Sequence, residues 1–261
     1  MPGGMHDEDA IKRRLIRDGQ SLLDRPRAPI EFTGDIEPDA LLNDLEHSPH
    51  AFVMGCLVDR QVPAERAWRL PFEACQRLGT TDVTELGKLT EDEWVACLEQ
   101  DPSLHRFPAA MGRVLHRGIQ RINSSHGGDA SRIWSDRPSS ARLVRRFLEF
   151  HGAGPKIACM AANILIRDFR IPLRDYRYID ISADVQVRRV MARLGIVESG
   201  SSPDVVIYAA REMNPDFPGI FDLILWEIGR NYCHPSRPAC ESCVLNGLCP
   251  SAARESTERV S

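Results

Sequence analysis

Four cysteines crowd into 17 consecutive positions near the end of the chain: Cys233, Cys240, Cys243 and Cys249, separated by six, two and five residues, with Pro250 directly after the last. The residues between them, HPSRPA, ES and VLNGL, offer little to bury, so this loop needs a bound ion or cluster to offset the entropy lost in ordering it. Four thiolates with no histidine at metal spacing suit either a four-thiolate zinc site or a cubane iron–sulfur cluster. Zinc loops usually pair two Cys-x-x-Cys knuckles, and only one occurs here, Cys240 to Cys243. A single compact loop fits a four-iron, four-sulfur cluster in which each iron takes one soft thiolate. Cys56, Cys75, Cys97 and Cys159 lie among apolar residues, too far apart for one local site, and are expected to be buried small hydrophobes.

A second chemical candidate is Lys156, in the run His151-Gly152-Ala153-Gly154-Pro155-Lys156 between the amphipathic segments ARLVRRFLEF and IACMAANILIRDF. The pattern predicts helix, tight hairpin, helix: the glycines allow positive φ and leave the backbone bare, and Pro155 suits the first position of the second helix. Amides at His151, Gly152 and Gly154 could then approach a phosphate, although an ordinary helix connection has the same signature. The chain has 30 arginines and only three lysines, Lys12, Lys88 and Lys156. Arginine binds phosphate as well as lysine does, but it cannot lose a proton and attack carbon. A lysine here therefore points to a nucleophile, with a plain phosphate contact as the alternative. Asp184 precedes Val187, Val190, Met191 and Leu194 at helical spacing and falls at the expected helix cap. A carboxylate there could also stabilise a cationic sugar or assist proton transfers of a lysine beside it.

The elements that must position these groups are helical. Apolar residues recur at helical spacing, as in Phe52, Val53, Cys56 and Leu57, or Leu143, Val144, Phe147 and Leu148, and no sheet pattern is present. Gly and Pro divide the chain into helices expected at 8–22, 38–47, 50–59, 63–78, 90–99, 108–124, 138–150, 155–169, 185–195, 202–213 and 217–230. The formal net charge of −4 hides an asymmetry: Arg132 to Arg193 carries 13 Lys and Arg against 6 Asp and Glu, leaving 20 against 31 elsewhere. A basic middle segment can be a phosphate-binding face or only solvated helix surface. The first residues lack a basic stretch followed by an apolar one, and no apolar run is long enough for a membrane span. A reducing, cytoplasmic setting is expected, since eight cysteines in 261 residues are too few for a disulfide scaffold.

Taken in order along the chain, these pieces resemble the endonuclease III family of DNA glycosylases, in the helix-hairpin-helix/Gly-Pro-Asp superfamily, from about Phe52 to Cys249. Gly152-Ala153-Gly154-Pro155-Lys156 is similar to that family's hairpin with its Schiff-base lysine. Asp184-Val185-Gln186-Val187-Arg188-Arg189-Val190 is similar to the segment opening with its essential aspartate, and Cys233 to Cys249 has its cluster spacing. Val58-Asp59-Arg60-Gln61-Val62-Pro63-Ala64 is similar to the segment whose glutamine enters the gap left by an extruded base, making Gln61 the wedge. His151 stands where the family usually has proline, Ile157 where it often has threonine, and Val185-Gln186 where threonine-histidine is common.

The resemblance implies an all-α fold of two helical domains with a DNA-binding groove between them. One would be a six-helix barrel of residues 38–168 with the helix-hairpin-helix at about 140–169; the other would join 1–37 to 169–261 and carry the 4Fe-4S cluster. It further implies a monomeric base-excision-repair enzyme that binds double-stranded DNA, flips out a damaged or mismatched base and removes it, with Lys156 attacking the sugar and Asp184 stabilising the charge. Abasic-site lyase activity by β-elimination would follow from the Schiff base. His234 and Arg237 would meet phosphates, and Tyr176, Tyr178 and Trp226 would be stacking partners or core. A glycosylase without lyase activity, a noncatalytic damage-binding protein and a small electron carrier are the alternatives.

Overall fold

The computed structural model describes residues 8–252, which contain twelve α-helices, three short 3-10 turns and no strand. The chain divides into two compact units. Arg27–Arg174 form one; the described residues up to Pro26 and from Asp175 onward form the other.

In the first unit, α2 (Ile36–Asn43), α3 (Pro49–Val58), α4 (Ala64–Leu78), α5 (Val83–Leu86), α6 (Glu91–Glu99), α7 (Pro108–His126), α8 (Ser140–Leu148) and α9 (Pro155–Arg167) follow one another. The sequence of α3, PHAFVMGCLV, carries no formal charge except a titratable histidine, and all ten of its residues are buried. A helix apolar all round has no face for water, so its neighbours must enclose it. Helices α2, α4, α7 and α9 do so. Phe52 of α3 is the hub, with Phe169 at 5.4 Å, Trp68 at 5.9 Å and Trp134 at 6.2 Å between ring centroids. Each such ring, fully buried, contributes about 1.5–3 kcal/mol by leaving water. Thr90 and Glu93 form a capping box that starts α6, and Gly127 ends α7 at φ +60°.

The second unit contains α1 (Glu8–Asp24), α10 (Val185–Arg193), α11 (Pro203–Met213) and α12 (Asp222–Asn231). Ile11, Leu15 and Leu22 form the buried stripe of α1, and α10 packs on α12 where Gly229 leaves room for Gln186.

Two local features differ from the sequence pattern. The turn of α5 exists because the Asp82 carboxylate accepts from the amides of both Thr84 and Glu85, a cap too short to leave any periodicity. The helix expected at 217–230 begins only at Asp222. Before it, Gly219 donates its amide to the Ile179 carbonyl at 2.7 Å, which holds Pro218–Phe221 in a 3-10 turn.

Helices α6 and α7 approach so closely that a Cβ at Gly112 would lie 2.8 Å from both Cα and N of Val95. Gly112→Ala is expected to lower unfolding free energy by about 1–3 kcal/mol, because backbone and not a flexible side chain would have to yield. Urea denaturation checks it; an unchanged midpoint would show that the two helices are not in contact there.

Candidate active site

Lys156 owes its position to the hairpin. Gly152 adopts φ +81°, a conformation side chains rarely take, and a Cβ there would meet Val114 at 3.0 Å and the Arg60 guanidinium at 3.4 Å. Ala153 N–H closes the turn onto the Phe150 carbonyl at 3.0 Å. Gly154 is the cap of α9, Pro155 its first residue and Lys156 its second. The lysine side chain is 39% exposed, yet its Nζ donates to two atoms of one residue: the Asp59 carbonyl at 3.1 Å and Asp59 Oδ2 at 3.2 Å. Asp59 follows the buried helix α3 directly, and its side chain is only 13% exposed.

The loop that carries Asp59 is fastened from several sides. Arg60 donates to the Leu57 carbonyl through Nε and Nη2 and to the Gly152 carbonyl through Nη1 at 3.0 Å, tying loop to hairpin. The buried His105 donates from Nε2 to the Arg60 carbonyl at 3.1 Å, while its Nδ1 accepts the amide of Phe107 at 3.0 Å. Those partners fix the neutral tautomer with the proton on Nε2. Burial pushes the His105 pKa down, in keeping with a neutral ring. Between these anchors Gln61 is exposed and takes φ +56°, so its backbone turns away from the α3 direction before α4 begins. His151 is exposed at the hairpin tip, 3.5 Å from the Arg117 guanidinium through Nδ1, and Gly152 is exposed beside it, with Gly154 half-buried.

Asp184 is the cap of α10. Its Oδ1 accepts from the amides of Gln186 at 2.8 Å and Val187 at 2.9 Å, which leaves Oδ2 outside the cap. The strand-like segment before it is held by three fastenings. Gly219 donates to Ile179, Arg211 makes a two-pronged pair with Asp180 at 2.7 and 2.8 Å, and the buried Asp222 accepts the Ser182 amide at 2.5 Å.

Cys233, Cys240, Cys243 and Cys249 line one cavity, closed by apolar Val190, Leu194, Ile228 and Leu245 together with the stem of Arg193. None is in a disulfide. The chain returns on itself through Ala239 N–H to the Tyr232 carbonyl at 2.8 Å and Cys249 N–H to the Leu245 carbonyl at 3.1 Å, so only Leu245 of the loop's interior is buried deeply. Arg193 donates to Cys233 Sγ at 3.3 Å and to the His234 carbonyl at 2.6 Å. Burial, with Cys233 and Cys249 nearby as like charges, pushes the Cys243 thiol up. No three Cys, His, Asp or Glu side chains among the described residues are gathered tightly enough to hold a single metal ion. Four thiols lining one apolar cavity are a donor set that could hold a metal centre of thiolate ligation. His234 and Arg237 are exposed on the outer side of this loop.

The remaining cysteines, Cys56, Cys75, Cys97 and Cys159, are all buried; burial pushes Cys75 up to about 12 and leaves it inert. Tyr176 and Tyr178 are 40% and 56% exposed, which removes both from the core, and Trp226 is half-buried under Arg230 at 5.1 Å. Sequence reasoning passed over Asp59, Arg60, His105 and Asp222. Asp59 and Arg60 lie in the very segment singled out for Gln61, but nothing local marks a residue whose partner is 97 positions away.

No protein-family profile matches the chain. It is 29% identical over 121 residues to endonuclease III homolog 2, chloroplastic, of Arabidopsis thaliana, and 30% identical over 129 residues to homolog 1 of that plant. These alignments take in 44% and 47% of this chain and 29% and 31% of the relatives, so it spans about three-tenths of their length. Among solved structures it is similar to a trapped endonuclease III–DNA covalent intermediate, with TM-score 0.63, 15% identity and coverage of 97% of this chain and 100% of that one. A thermostable thymine-DNA glycosylase matches with TM-score 0.61, 14% identity and coverage of 95% and 100%. At those identities the likeness shows the fold. No helix among the described residues is long and apolar enough to cross a membrane.

Two outcomes test this geometry. Asn caps a helix as well as Asp does, so Asp184→Asn should leave stability within about 0.5 kcal/mol of wild type while Asp184→Ala loses about 1 kcal/mol. Equal losses in thermal unfolding would mean that the cap is not formed. The second concerns His105. Its folded pKa lies below the ordinary 6.5, so the unfolded chain takes the proton first. The stability from keeping the ring neutral is complete above that value and declines as pH falls from it toward the folded pKa. His50 and His126 are also lowered by burial and act in the same direction. Urea midpoints should fall between about pH 7.5 and pH 5.5, and fall less in His105→Asn; an identical fall in both would remove His105 from the loop's support.

Proposed function

We propose, for a chain that is endonuclease III-like in fold and in part of its sequence, that it is a base-excision-repair DNA glycosylase with abasic-site lyase activity. The observation that carries this reading is an amine on a glycine hairpin, half-exposed at the start of α9 and held at a defined place by Asp59. The substrate would be duplex DNA with a damaged or mismatched base, bound by a monomer wherever the genomic DNA is, in the cytoplasm on the present reading. Gln61, exposed at the turn after α3, would fill the gap left by the extruded base. Amides of His151, Gly152 and Gly154 and the side chains of His234 and Arg237 would meet phosphates.

Lys156 Nζ, once it has lost a proton, would attack C1′ as the bond to the base breaks. Asp184, through the oxygen that its cap leaves over, would stabilise the positive charge developing on the sugar. The resulting Schiff base makes the C2′ proton acidic; its removal expels the 3′ phosphate and cuts the strand. Cys233, Cys240, Cys243 and Cys249 would hold a 4Fe-4S cluster, which would supply folding free energy to the loop bearing His234 and Arg237.

A panel of lesion-containing duplexes, assayed separately for free base and for strand scission, tests the reaction. Lys156→Ala should remove both activities, and Asp184→Asn should slow base release by about 10²–10⁴-fold with the fold retained. Base release that persists in Lys156→Ala without scission would identify water as the nucleophile; no release from any duplex would overturn the glycosylase reading. Metal analysis of protein purified without oxygen should find about four irons per chain, fewer in Cys243→Ser, whereas one zinc and no iron would overturn the cluster assignment.

A further inference from the structure

We propose that Asp59 is the residue that aims Lys156 and takes the first proton from its ammonium. This rests on Lys156 being the nucleophile, and it assigns a role to a carboxylate distinct from Asp184.

Lys156 and Asp59 meet inside one compact unit, 97 residues apart in sequence. Nζ is bound by both the carbonyl and the carboxylate of Asp59, at 3.1 and 3.2 Å, so two fixed acceptors define where the nitrogen sits and where its third hydrogen points. The acceptors cannot drift, because Asp59 terminates a helix with no exposed residue and the next residue is bolted to the hairpin through Arg60 and to His105. The lysine is 39% exposed against 13% for the aspartate, so the amine faces outward while the carboxylate sits behind it. An ammonium has no lone pair and cannot form a bond to carbon. A base must first take one of its protons, and Asp59 Oδ2 is a carboxylate in hydrogen-bond contact with Nζ.

One N–H bond of the Lys156 ammonium breaks and its proton goes to Asp59 Oδ2, giving a neutral amine and a carboxylic acid. The neutral amine turns about Cε–Nζ so that the electron pair freed on the Asp59 side faces the sugar; that pair forms the N–C1′ bond while the C1′–base bond breaks, and the departing base keeps the electrons of the broken bond and is protonated by water. Asp59 then passes its proton to solvent through its exposed edge. Asp59 lies two residues before Gln61, so the loop that would enter the duplex also holds the nucleophile.

The test is single-turnover borohydride trapping on a duplex with a preformed abasic site, with binding to a tetrahydrofuran-containing duplex as the control for folding and DNA contact. Asp59→Asn keeps a hydrogen-bond acceptor but no base; it should trap about 100-fold more slowly than wild type or worse. Asp59→Glu should recover about a tenth or more of the wild-type rate. Both variants should bind the tetrahydrofuran duplex within about threefold of wild type, below the free energy of one typical hydrogen bond. Trapping by Asp59→Asn at the wild-type rate would overturn the proposal, as would equal damage in the Asn and Glu variants with binding intact. An adduct that survives Lys156→Ala would instead refute the nucleophile and this inference with it.

Discussion

An ammonium that reaches solvent is held here by a carboxylate that scarcely does. A pair of this kind gains little as a stabilising contact, because half-exposed charges are screened and worth roughly 0–1 kcal/mol, while taking Asp59 out of water costs more than leaving it on the surface. The fold nevertheless arranges both partners with care. Helix α3 is enclosed on every side, so the residue after it has almost no freedom. Gly152 bends the hairpin tightly enough for Arg60 to reach its carbonyl, and that contact sets the start of α9 against the end of α3. The packing of the first unit, from the Phe52 cluster outward, ends in the placement of one nitrogen atom. A contact that stabilises weakly and is positioned so rigidly is better explained by chemistry than by folding.

The second unit repeats the logic with a different currency of interaction. Asp184 is placed by its own cap and by a segment fastened through Asp180, Ser182 and Asp222. The cysteine loop beyond α12 has almost no core apart from Leu245, and its four thiols face one cavity beneath Arg193. Neutral thiols gain nothing from such crowding; thiolates around a cationic cluster do. Similarity to solved structures extends over nearly the whole chain, while sequence similarity to the plant endonuclease III homologs covers less than half of it.

What the sequence made legible follows from the range of each signal. Helices show because their apolar periodicity is local, and the hairpin shows because glycine and proline act on their own backbone. The cysteine loop shows because its four cysteines fall within 17 consecutive positions. Asp59 did not show, since its partner lies on another helix and a single aspartate after an apolar run has many ordinary explanations. His105 failed to show for the same reason: its value lies in two backbone groups that only the folded chain brings to its ring. The exposed Tyr176 and Tyr178 illustrate the opposite case, in which residue type suggests burial and the turn that carries them keeps them in water.

The central claim, that the Lys156 amine becomes bonded to the sugar, is tested most directly by peptide mapping of the borohydride-trapped protein–DNA adduct. The account predicts that the deoxyribose remnant is found on the peptide containing Lys156, at Nζ. A remnant on the chain's terminal amine or on another lysine, with Lys156 unmodified, would contradict it.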